Sequence, residues 1–109
     1  MLRFAVLLIV AAISTAQAQE AKTVLGPFPP FSCCKWLNTP KHTAEYEVLK
    51  GWVLGYLSGS NMESAGADFL RDRDVDGLTA WIDNYCRRSP LHNLPQAIHE
   101  LMDLLRAGR

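Results

Sequence analysis

Four aspartates in one short stretch have the spacing of a metal site. Asp72, Asp74, Asp76, Gly77 and, after five intervening residues, Asp83 fall at positions 1, 3, 5, 6 and 12 of a calcium loop. Carboxylates at those positions, with a turn glycine between them, are the oxygen donors such a loop supplies. Three departures weaken the match. Val75 stands where a polar residue or glycine is usual, Thr79 stands where an apolar residue anchors the loop, and aspartate at position 12 reaches less far than glutamate. The simpler expectation is a solvated loop with no metal, followed by a helix capped by Asp76. Cysteine chemistry is the second candidate. Cys33, Cys34 and Cys86 allow one disulfide and one spare thiol in an oxidising compartment. A vicinal 33–34 bridge is strained. A bridge from that pair to Cys86 closes a loop of about fifty residues and stabilises by roughly 4 kcal/mol on the chain-entropy account. A nucleophilic thiol needs a nearby histidine, and His42, His92 and His99 all stand in surface-like contexts. No P-loop, HExxH, Gly-x-Ser-x-Gly or dinucleotide fingerprint occurs. The chain therefore reads as a non-enzyme without a cofactor.

The element that everything else must pack upon is Gly51-Trp-Val-Leu-Gly-Tyr-Leu-Ser-Gly-Ser60. Gly51, Gly55 and Gly59 are four apart and share one line on a helix. Each costs about 1 kcal/mol against alanine inside a helix, so close approach of another backbone is the expected return. Trp52 and Tyr56 form the neighbouring line, with Val53, Leu54 and Leu57 in the gaps. The apolar run between Lys50 and Ser58 is far shorter than the ~20 residues of a membrane span, so a buried helix of a small domain is expected. Trp36, Trp52 and Trp81 each fall beside an apolar face or a cysteine, which favours core packing over a ligand cage.

The chain opens with Arg3, an apolar stretch from Phe4 to Ile13 and Ala16-Gln17-Ala18, the pattern of a secretion signal cleaved after Ala18. Across the chain, 11 Lys and Arg balance 11 Asp and Glu. No basic stripe with interleaved aromatics is present, so nucleic acid is not an expected partner. Residues 19–32 carry Gly26, Pro27, Pro29 and Pro30 and read as an extended arm, with Val24, Leu25, Phe28 and Phe31 along the domain surface. A short helical turn is expected over 33–37, broken by Asn38-Thr39-Pro40. Thr43 caps a helix running to Asn61 or Met62, and residues 63–70 are expected to be helical in part. After a charged connection over 71–77, a helix over 78–88 carries Leu78, Trp81, Ile82 and Tyr85 at helical spacing. The last helix has Asn93 as cap, Pro95 in the first turn and Gln96 at the capping-box position. Its apolar face is Leu94, Ala97, Ile98, Leu101, Met102 and Leu105. No period-two strand occurs, so the expected fold class is all-α, a small disulfide-stapled bundle of three to four helices over 33–109.

These residues carry a resemblance. Cys33-x-x-Trp36, Gly51-Trp-Val-Leu-Gly-Tyr-Leu-Ser-Gly, and Leu78-x-x-Trp81-Ile-Asp-Asn-Tyr-Cys86-Arg with Pro90-Leu91 resemble the HdeA/HdeB-like group of small periplasmic proteins, over roughly residues 32–105. The resemblance implies a helical fold and a disulfide from Cys33 to Cys86, leaving Cys34 over. It also implies folded dimers near neutrality that loosen in acid and hold unfolding periplasmic proteins. Trp52 to Leu57 and the last helix, with Ile98 and Leu101, are the client-binding candidates on that reading. The Gly-Trp-Val-Leu-Gly-Tyr form marks a divergent branch. A looser resemblance, to secreted helical immunity proteins of the Tai type, implies a module that neutralises one specific protein partner.

Overall fold

Each helix begins at a side chain that takes up an otherwise free backbone N–H. Ser32 accepts from Lys35 N at the start of α1 (Cys33–Asn38), and Thr43 accepts from Tyr46 N at the start of α2 (Ala44–Glu63). Asp74 accepts from Gly77 N at the start of α3 (Val75–Arg88). Asn93 and Gln96 form a reciprocal capping box at the start of α4 (Leu94–Arg106), with proline in the first turn. The computed structural model describes residues 22–27 and 31–108, and among them there are these four helices and no strand. Residues 1–18, where a secretion signal is expected, the start of the expected arm and Phe28, Pro29 and Pro30 lie outside the described residues.

Two expectations about element boundaries are corrected. The third helix starts at Val75 and its cap is Asp74, so Asp76 lies within the first turn, where its charge meets the positive end of the helix. Residues 64–70 are not helical. Asn61 instead donates to Asp68 (2.8 Å) and accepts from Phe69 N (3.1 Å), folding the chain back on the end of α2. That fold places the Phe69 ring in the core, 5% exposed, with the Arg106 guanidinium over its face. Burying a phenylalanine is worth about 1.5–3 kcal/mol, more than a single weak turn containing Gly66 contributes.

α4 is the central strut. All six residues of its apolar face are buried, and it packs on both α2 and α3. α2 contributes Tyr46, Leu49, Val53 and Leu57, and α3 contributes Ile82, Tyr85 and Cys86. α1 packs on α3, where Cys33 and Cys86 form the disulfide with their Cα atoms 4.9 Å apart. The start of α1 is also pinned to the start of α4: Cys33 N donates to His92 O (2.9 Å) and Leu94 N to Phe31 O (2.6 Å). Among the described residues no helix is long and apolar enough to cross a membrane.

Candidate functional site

The client-binding candidates fall into two sets. Val53, Leu57, Ile98 and Leu101 are buried between α2 and α4, while Trp52, Leu54 and Tyr56 are only half-buried. The folded surface thus presents the edge of this apolar layer and conceals its centre. Trp52 is fixed from both sides: its indole N–H donates to Leu25 O (3.0 Å), and Phe31 stacks on it with centroids 5.3 Å apart. The arm therefore crosses α2, as the sequence suggests for Phe31, although Leu25 itself stays exposed. Tyr56 packs on Trp52 and its hydroxyl meets His99 Nε2 at 2.7 Å.

The glycine line does not do what its spacing suggests. Gly51, Gly55 and Gly59 are all exposed, and a Cβ added at any of them meets nothing within 4 Å. α2 buries the opposite side, through Tyr46, Leu49, Val53 and Leu57, so the helix is half-exposed and, among the described residues, no other backbone approaches the glycines. Val48 and Met62 on the uncovered side are 48% and 83% exposed. It follows that Gly55→Ala should stabilise the isolated protein by roughly 0.5–1 kcal/mol, since alanine fits the space and the helix gains propensity. A rise in the urea midpoint with an unchanged slope is the expected result. A fall would mean that a packed neighbour covers the line.

The aspartates are not gathered into a metal site. Among the described residues no cluster of three or more His, Cys, Asp and Glu can hold an ion. Asp83, which would close the calcium loop, is buried and turned to α1. Its Oδ1 accepts from the Trp36 indole N–H (2.7 Å) and its Oδ2 from Lys41 Nζ (2.6 Å). Asp74 is occupied as a helix cap, and Asp72 sits in a left-handed turn at φ 59°. The hydrogen bond it donates to Asp83 holds Lys41 above its ordinary value of 10.5, against a smaller opposing effect of burial. With a raised pKa, the charged lysine's contribution is fully present below its ordinary value, for as long as Asp83 is ionised, and is lost as pH rises through the higher folded one. Sequence spacing missed Asp83 as a core anchor. The available signal was its place on the inner face of α3, one residue after Ile82 and three before Cys86.

Of the two remaining tryptophans, Trp36 is fully buried against Tyr46, while Trp81 is half-buried and stacks on Tyr85 at 5.5 Å. Burial holds the Tyr85 phenol above its ordinary range, and its hydroxyl meets His92 Nδ1. Cys34 carries a free, exposed thiol beside Asn38. No protein-family model, no curated protein and no solved structure matches this chain.

Proposed function

We propose that the chain is an exported, disulfide-stapled stress protein that holds unfolding proteins in the periplasm when acid loosens it. The observation that carries this reading is the arrangement of α2. Its apolar face covers that of α4, yet the disulfide joins only α1 to α3. Ties at both ends of α2 depend on carboxylates: Glu45 pairs with Lys35 at the start, and Asp68 bonds to Asn61 at the end. Asp68 is held below its ordinary value of 3.8, first by the Asn61 hydrogen bond and then by the Leu70 N–H. With a lowered pKa, its contribution is present above that value and is lost as pH falls through the lower folded one.

Below about pH 3 the carboxylates neutralise, and a chain cleaved after Ala18 carries roughly +14. Self-repulsion then favours release of α2, which would uncover Val53, Leu57, Ile98 and Leu101 while the disulfide limits expansion. The resemblance to the HdeA/HdeB-like group supports the same reading, including a homodimer near neutrality.

The test is light scattering of an aggregation-prone client with the oxidised protein at about pH 2–3 and at pH 7. Suppression in acid only, lost on reduction, is expected. No suppression at either pH, from a protein still folded, overturns the reading. The uncovered side of α2, with exposed Val48 and Met62, favours a second reading: a binding or immunity module for one dedicated protein. Its signature is stoichiometric, pH-independent capture of a single partner.

A further inference from the structure

A groove of about 790 Å³ lies between the arm and the beginning of α4. Its size is that of a small-molecule site. Val24 and Phe31 from the arm, Leu91 from the α3–α4 turn and Pro95 from the first turn of α4 supply apolar walls. Leu91 is 98% exposed, and no other described side chain covers it. The ionisable residues of the lining are Lys22, His92 and His99, and no described carboxylate lines the groove. Asn93 and Gln96 bring the positive end of the α4 dipole to the same wall. The groove is therefore apolar with one sign of charge.

Both imidazoles are held in place. Tyr56 meets Nε2 of His99, and Tyr85 meets Nδ1 of His92. With each phenol donating, the other ring nitrogen of each histidine carries the proton and is a donor for an anion. A peptide strand is a poorer occupant, because the backbone groups beside the groove already serve each other: Cys33 N with His92 O, and Leu94 N with Phe31 O. An occupant without a peptide backbone asks nothing of them.

We propose that this groove binds one single-chain amphipathic carboxylate, its apolar tail over Val24, Phe31 and Leu91 and its head group drawn to Lys22, His92 and His99. This assignment is independent of the holdase reading, since it concerns the folded protein at neutral pH.

The experiment is calorimetric titration of the oxidised protein near pH 7 with decanoate, decanol and decyltrimethylammonium below micelle formation, with Trp52 fluorescence as a second readout. One-to-one binding of decanoate is expected, with the neutral and cationic heads weaker by about tenfold or more. Lys22→Glu and His99→Gln should each weaken decanoate by about five- to tenfold, with unchanged circular dichroism. Met62→Glu, on the uncovered side of α2, should leave the affinity unchanged. Equal affinity for the three head groups, an unchanged affinity in Lys22→Glu, absence of saturable binding, or equal competition by an apolar peptide amide each overturns the proposal.

Discussion

Replacing Cys33 and Cys86 together by alanine is expected to lower the unfolding free energy by about 4 kcal/mol. The bridge spans 53 residues, so its removal restores a large loop entropy to the unfolded chain. The folded state suffers as well. α1 has only six residues, too few to be helical by itself, and its buried side chains are Cys33 and Trp36. Losing about 4 kcal/mol from a domain whose total lies in the ordinary 5–15 kcal/mol range leaves about 1–11 kcal/mol, so a domain at the low end of that range becomes measurably unfolded. Urea titration of the double variant, with circular dichroism as the probe, measures this directly. The double variant is preferable to single ones because Cys34 adjoins Cys33 and can exchange into the bridge. Cys34→Ser alone should change stability by no more than about 0.5 kcal/mol, because the thiol is exposed. A loss below about 1 kcal/mol in the double variant would show that α1 stays docked without the bond, and the stapling argument would fail.

Trp36→Ala is expected to cost about 3–5 kcal/mol. The indole is 1% exposed, packs on Tyr46 of α2 and donates to Asp83 of α3, so one side chain joins three helices. Truncation leaves a cavity and removes a hydrogen bond from a buried carboxylate. Trp36→Phe separates the two effects. It keeps most of the packing and removes only the N–H, leaving Asp83 with Lys41 as its side-chain partner, for an expected cost of about 1–3 kcal/mol. In a cycle with Asp83→Asn, the two substitutions should be non-additive by about 1 kcal/mol if the bond matters, and additive if it does not. Both changes weaken the α1–α3 junction that the acid-loosened state is proposed to retain. Client holding in acid should therefore decline with them even where the neutral-pH fold survives.

How much of this was legible in the sequence depends on how local each feature is. The apolar face of α4 and its capping box follow from 3.6-residue periodicity and from side chains bonding their own backbone, and both stand as the spacing indicates. The cap of α3 lay two residues earlier than its apolar pattern suggested, because the bond that Gly77 N donates to Asp74 starts the helix before its first inward-facing residue. The break after α2 was hidden, since Asn61 reaches seven and eight residues ahead to hold Asp68 and Phe69, a choice made by burial of the Phe69 ring. Composition and periodicity alone determined the helical class, and cysteine count alone determined that one thiol would be left over. Tertiary structure decided which face of α2 is buried, that Asp83 serves the core instead of a metal loop, and where His92 and His99 meet their tyrosines. The physical reason is common to these cases. A glycine line or an aspartate repeat has the same local energetics whether it faces solvent, a neighbour or an ion, and only the packing of distant segments sets which one it meets.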